Sequence, residues 1–207
     1  MILPDPMLLS KSAGSPLGKR GWIYEVKYAG WRLVAGAARG KVHIRTRGGA
    51  DYTRVFPEVV HSIVALPGGP HILDGEGVVL DEHGHSSFDR FHGRALPGRP
   101  PRPDADPVFF MVFDALMIDG RALVGEPVEA RKEQLQHLLS GSAAALQFVP
   151  HAPWSHGREL YQQAKALSLK GLVVKRLGSV YRPGERSDDW QKVKVPGAVP
   201  PERFKRS

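Results

Sequence analysis

Cysteine is absent from this chain of 207 residues. That excludes disulfides, thiolate nucleophiles and zinc–thiolate centres, and it suits a cytoplasmic setting without requiring one. No apolar run approaches the roughly 20 residues of a membrane span. The N-terminus, MILPDPMLLSKSAGSPLGKR, lacks a basic segment followed by an apolar one, so no signal peptide is expected. Acidic residues are the scarcer charge: 21 Asp and Glu stand against 29 Lys and Arg, a net +8. This excess suits a polyanionic partner such as nucleic acid, because each cation set against a phosphate releases a counterion. A basic surface kept for solubility gives the same balance. The histidines show no metal-ligand spacing; His83, His85 and His92 are expected to face solvent rather than zinc.

What is present is enough apolar sequence, 42%, for one α+β domain with a real core. Strands are predicted at 22–28, 31–37 and 41–47, the last alternating Val42 and Ile44 against His43, Arg45 and Arg47. Pro57 opens a helix over 56–66 with Val59, Val60, Ile63 and Leu66 at helical spacing. A strand with a glycine-rich middle follows at 71–80. The run VFFMVFDALMI at 108–118 reads as a central strand covered on both faces. Helices are predicted at 127–139, with Leu135, Leu138 and Leu139 inward, and at 158–169. Strands at 171–177 and 190–195 complete an antiparallel-rich arrangement. The prolines cluster at 96–107, expected to be an exposed loop, and at 196–201, expected to be a tail leaving the fold. No repeat or second domain is apparent, so 1–207 is expected to be one domain with its core at about 6–195.

Several polar residues need an explanation. Lys192 and Lys194 share one face of a strand, since side chains alternate with period two. Two ammonium groups there repel unless they meet an anion, although lysines on an edge strand also guard against aggregation. Lys27 ends a strand beside a glycine turn. Most such lysines are surface charges; a nucleophilic one must lose its proton, through burial or neighbouring cations such as Arg32, Lys175, Lys192 and Lys194. Glu76 lies between Gly75 and Gly77, which either let a ligand approach the backbone or mark a β-bulge. Phe113 sits in the apolar run and reads first as core.

Five segments in order carry a more specific signal: EVKYAGWR at 25–32, ILDGE at 72–76, FDALMIDG at 113–120, KGLVVKR at 170–176 and YRPGERSDDWQKVK at 181–194. Together they resemble the nucleotidyltransferase (adenylation) domain of ATP-dependent DNA ligases, and within that family the ligase domain of bacterial ligase D proteins. The resemblance runs from Pro6 to Lys194. It implies an α+β, ATP-grasp-like nucleotidyltransferase fold with antiparallel sheets flanked by helices. It further implies ATP and Mg²⁺ or Mn²⁺ as cofactors, DNA ends or nicks as partners, and work in repair or recombination at the bacterial nucleoid. By this likeness Lys27 is the nucleophile that takes AMP from ATP as a phosphoramidate. Arg32 and Glu76 meet the ribose, with Glu76 also a candidate metal ligand, and Phe113 stacks on adenine. Glu25 and Lys175 belong to the nucleotide site, and Lys192 and Lys194 grip the α-phosphate. Arg47, Arg182 and Arg186 are candidates for DNA phosphates.

The chain departs from the family's pattern in three places. The nucleophile motif has Ala29 where the family has aspartate, which removes a side-chain acceptor from the loop that aims Lys27. Lys170 stands where the family has a glutamate that serves the metal, and an ammonium repels a cation there. The family's OB-fold domain has no counterpart in the 13 residues after Lys194, which leaves three expectations: a separate OB-fold or end-joining protein supplies it, it is dispensable, or it is gone. A non-catalytic nucleotide- or DNA-binding accessory in end joining is therefore the alternative reading. An RNA-end ligase or capping-type enzyme, which shares the lysine chemistry, is a third.

Overall fold

The computed structural model describes residues 2–11, 17–96, 102, 104–141 and 145–198. Most of the proline-rich stretch after Leu96 and the tail from 199 lie outside the described residues.

Two sheets form the body of the protein. The first has five strands in the order β1 (Leu8–Lys11), β11 (Arg186–Lys194), β10 (Gly171–Arg176), β2 (Trp22–Val26) and β9 (Ala152–Pro153). All its neighbours are antiparallel except β1 and β11. The second runs β4 (Lys41–Thr46), β3 (Trp31–Ala38), β5 (His71–Val78), β6 (Phe109–Ile118) and β7 (Arg121–Ala122), with the short β8 (Leu146–Phe148) added in parallel to β6. The long apolar run is thus a central strand, buried along most of its length.

Side-chain alternation decides which face each strand turns to which layer. In the second sheet, Leu33, Ala35, Ile44 and Leu73 face the main core. That core is closed by α1 (Pro57–Val64), α2 (Phe88–Arg94) and α3 (Val128–Leu139) through Val59, Ile63, Phe91, Leu135 and Leu138. Val34, Ile72 and Leu116 point the other way. They meet Trp190 of the first sheet together with Leu3, Met7 and Tyr181. In the first sheet Tyr24, Leu172 and Val174 face α4 (Gly157–Ala166), which contributes Ala164. Glu25, Lys175, Trp190 and Lys192, being of opposite parity, turn toward the second sheet. The gap between the sheets is where the polar residues collect.

Most predicted elements are present, with β11 extending further back than expected. The helix α2 was not anticipated, nor were the short strands β1, β7, β8 and β9. The glycine-rich strand β5 resolves one open alternative. A Cβ on Gly75 would lie 2.5 Å from the Met111 carbonyl oxygen, and one on Gly77 would lie 2.6 Å from Leu33 Cδ1. These glycines accommodate the protein's own core, not a ligand, and the β5–β6 register shifts at Asp74–Gly75 as a bulge does.

Candidate active site

The cleft between the sheets holds about 550 Å³ and is lined by Lys27, Arg32, Arg47, Glu76, Arg186 and Lys192, with Trp31 and Tyr52 on its wall. A narrower recess continues from it, sharing Lys27, Arg32 and Glu76 and adding Glu25, Phe113, Lys175 and Trp190. Nine of the candidate residues therefore meet around one connected cavity. Two do not line it. Lys194 is exposed further along β11, close enough to Lys192 to act on its charge. Arg182 is held by Asp189 at 3.2 Å and by Ser187 at 3.1 Å.

Strand pairing explains the convergence. Lys27 follows the last residue of β2, and its amide donates to the Gly171 carbonyl at 2.9 Å. Gly171 has φ +128°, and a Cβ there would lie 2.0 Å from the Val193 carbonyl oxygen, so β10 runs between β2 and β11 only with glycine at this point. On β11, Trp190 and Lys192 lie two residues apart on the cleft face, opposite Lys175 and Val173 of β10. In the second sheet Arg32 pairs directly with Glu76.

Beneath the cleft the charges are neutralised. The Arg32 guanidinium makes two bonds of 2.6 Å to the buried Asp74 carboxylate, which also accepts the Tyr181 hydroxyl at 2.6 Å. Burial works against the Arg32 cation, but Asp74 outweighs it and raises its pKa. Burial and then Asp74 raise that of Tyr181. The Glu25 carboxylate lies 2.7 Å from the Lys132 ammonium and 3.0 Å from that of Lys175, all three buried. Burial brings Lys175 down to about 8, with Glu25 opposing the fall and Lys132 adding to it. Arg131 and Asp114 form a third buried pair at 2.8 Å.

The aromatic rings are tied into this network. The Arg32 guanidinium lies 4.7 Å from the Phe113 ring centroid, and the Lys175 ammonium lies 4.8 Å from it. Lys175 is 4.1 Å from the Trp190 ring centroid as well. Phe113 is thus half-buried at the recess rather than sealed in the core. On the cleft wall the cations are less compensated. Lys192 is pushed below its ordinary pKa by burial first, then by Lys194, Lys27, Arg186 and Lys11. Among the described residues, neither Lys27 nor Lys192 is ion-paired with a carboxylate.

The substituted positions are both occupied by specific contacts. Ala29 is buried, and its amide donates to the Ser86 hydroxyl at 2.8 Å. The Lys170 ammonium lies 4.8 Å from the Phe88 ring centroid. Glu76 is the one carboxylate among the described residues lining the main cleft. No group of three His, Asp or Glu side chains is placed to hold a metal among the described residues. This donor set fits Mg²⁺ or Mn²⁺ held by one carboxylate together with phosphate oxygens, which is how magnesium commonly binds beside nucleotides.

The sequence did not point to Asp74, Trp190, Tyr181, Arg131 or Lys132 as part of this region. Period two puts Asp74 on the face of Glu76, a usable signal. Helical spacing from Val128 and Leu135 puts Arg131 and Lys132 on the buried side of α3.

A family model described as ATP dependent DNA ligase domain matches residues 6–194. The chain belongs to this family. The multifunctional non-homologous end joining protein LigD of Mycolicibacterium smegmatis is 32% identical over 190 residues, covering 92% of this chain and 24% of that protein. A probable DNA ligase of Streptomyces coelicolor is 35% identical over 199 residues, covering 93% of this chain and 39% of that protein. A structure of mycobacterial DNA ligase D complexed with ATP and MES superposes with a TM-score of 0.77 at 30% identity, over 92% of this chain and 60% of the other. The chain therefore spans about a quarter of the LigD proteins it matches. Its fold is the mixed helix-and-sheet nucleotidyltransferase fold of the ligase domains, and no OB domain is evident among the described residues. Among them, no helix is long and apolar enough to cross a membrane.

Proposed function

We propose that this ligase-family domain performs adenylyl transfer with Lys27 as the nucleophile and ATP as the AMP donor. In this reading the neutral Lys27 amine attacks the α-phosphorus. A nitrogen–phosphorus bond forms, the bond to pyrophosphate breaks, and the amine proton leaves to solvent. Lys192 and Arg186 balance charge on the phosphates, where positioning and electrostatics carry most of the acceleration. Glu76, together with phosphate oxygens, holds Mg²⁺ or Mn²⁺, which supplies further charge neutralisation. Arg32 and Glu76 face the ribose. A purine is laid on Phe113, the ring against which the Arg32 guanidinium already lies. Glu25 and Lys175 contribute by shaping the recess, and Lys194 by its field on Lys192. AMP then passes to a 5′-phosphate at a DNA nick or end, with Arg47 as a further phosphate contact and with Arg182 reaching DNA only where its pairing with Asp189 yields. The relatives named for non-homologous end joining favour DNA repair as the setting, in the bacterial cytoplasm, with an OB-fold or end-joining partner closing over the cleft.

The observation that carries this reading is one cleft in which Lys27 meets Lys192, Arg32 and Glu76 with no carboxylate ion-paired to the amine among the described residues. Incubation with α-labelled ATP and Mg²⁺ or Mn²⁺, followed by a denaturing gel, tests it. A covalent band is expected that Lys27→Ala abolishes. The second reading, a non-catalytic nucleotide- or DNA-binding accessory, is favoured by the ammonium of Lys170 at the family's metal-serving position. No band at any metal concentration, with DNA binding retained, would establish that alternative.

A further inference from the structure

The loop from Lys27 to Gly30 connects β2 to β3 and carries the candidate nucleophile. In the family pattern an aspartate at position 29 supplies its side-chain acceptor; here the side chain is a methyl group. The loop is nevertheless pinned at three points, Lys27, Ala29 and Gly30, from three separate parts of the chain. The Lys27 amide donates to the Gly171 carbonyl at 2.9 Å. The Ala29 amide donates to the Ser86 hydroxyl at 2.8 Å. The Gly30 amide donates to Glu76 Oε1 at 3.3 Å. Gly30 itself sits so close to β5 that a Cβ would come within 1.9 Å of the Gly77 carbonyl oxygen.

Ser86 is well placed to hold a loop because it is held itself. It pairs with Leu80 across a turn. Within that turn Asp81 accepts the amides of His83 at 2.9 Å and His85 at 2.8 Å. On its other side, the Ser87 amide donates to the Val79 carbonyl at 2.9 Å, and the Ser87 hydroxyl caps α2. The next residue, Phe88, presents its ring to the Lys170 ammonium at 4.8 Å. One short segment, 86–88, therefore contacts both positions at which this chain departs from the pattern of its family.

We infer that Ser86 is a positioning residue for the reaction at Lys27, its hydroxyl holding the loop through the Ala29 amide where the side chain at position 29 offers no acceptor of its own. The inference rests on Lys27 being the nucleophile. The hydroxyl does not touch substrate. It fixes the peptide two residues beyond Lys27 and so fixes the direction in which the amine leaves β2. A small misplacement of a reacting group is costly because reaction needs near-attack geometry. The effect belongs in the rate of the covalent step, whereas ATP is held chiefly by other residues of the cleft.

Two measurements test this on the full chain. In single-turnover labelling with α-labelled ATP, Ser86→Ala should lower the rate of lysyl-AMP formation about tenfold at saturating ATP. The ATP concentration for half-maximal rate should change less than about twofold. Ser86→Thr, which keeps the hydroxyl, should restore the rate. An unchanged rate in Ser86→Ala, or a loss carried wholly by the half-saturation, overturns the inference. The second measurement needs no catalysis: amide hydrogen exchange across 27–30. Protection at Ala29 should fall about tenfold or more in Ser86→Ala and persist in Ser86→Thr. Equal protection in Ser86→Ala and the parent chain overturns the inference. A chain that never labels refutes the reading of Lys27, while exchange at Ala29 still decides whether Ser86 holds the loop.

Discussion

Two groups of cations, one below the cleft and one along it, behave oppositely. Below the cleft, Arg32, Arg131, Lys132 and Lys175 are nearly or wholly out of solvent, and each faces a carboxylate: Asp74, Asp114, or Glu25 for both lysines. Along the cleft, Lys27 and Lys192 have no carboxylate ion pair among the described residues. Lys192 is instead crowded by Lys194, Lys27 and Arg186. Lys175 and Lys192 come from adjacent strands and the same face, so neither fold position nor residue type separates them. Their partners do. A buried cation matched by a carboxylate is compensated within the protein, and removing either partner leaves an uncompensated charge. A cluster of like charges without such partners is repulsive by itself and is relieved by an incoming anion, such as a triphosphate.

Substitutions on the two sides should therefore divide cleanly between stability and activity. Glu25→Gln strands two buried ammonium groups, and a loss of about 3 to 5 kcal/mol is expected in urea denaturation. Lys192→Ala removes one repelled cation. Its cost in stability should be under about 1 kcal/mol, while lysyl-AMP formation falls about a hundredfold. If Glu25→Gln proves neutral, or Lys192→Ala unfolds the chain, the division between the two groups is wrong.

The cleft face was legible because strands alternate. Period two alone puts Lys192 and Lys194 on one face, and Lys192 does line the cavity. The apolar run gave β6 for a similar reason: a strand covered on both faces needs little else. The helix α2 was not legible, since its seven residues hold two aromatics and a glycine and its start depends on the Ser87 cap. The edge strands β7 and β9, of two residues each, carry no pattern at all. The buried network was the hardest part. Leu135, Leu138 and Leu139 announced the inner face of α3, yet Arg131 and Lys132 share that face and read as solvent-directed by composition. Their burial depends on Glu25 and Asp114, which come from other strands, and no local rule connects them. Ser86 was hidden likewise, as its partner is an amide 57 residues away.

The same network has a signature in pH. Lys175 titrates near 10.5 when unfolded and at about 8 in the fold, where burial acts first and Glu25, Lys132 and Asp114 modify it. Between these values the unfolded chain binds more protons at this site than the folded one, so the contribution of Lys175 to stability rises as pH goes from about 8 to 10.5. The difference in unfolding free energy between the parent chain and Lys175→Met should shift in favour of the parent across this window. A flat difference would mean that Lys175 is not desolvated, and would weaken the contrast with Lys192.

The smallest effect concerns DNA and again sets an engaged cation against an exposed one. Arg45 and Arg47 lie two residues apart, at the end of β4 and just past it. The Arg45 guanidinium is already taken by Asp5 and the Pro4 carbonyl, at 2.8 and 2.9 Å. Arg47 is exposed at the cleft mouth. If phosphates of a nicked duplex run past this mouth, Arg47→Ala should reduce the slope of log affinity against log salt by about one, the release of a single counterion. Arg45→Ala should leave the slope nearly unchanged, because its charge is spent within the protein. Equal slopes for both variants would place the duplex elsewhere, and a steeper change for Arg45 would mean that its pairing with Asp5 yields to the phosphate when DNA arrives.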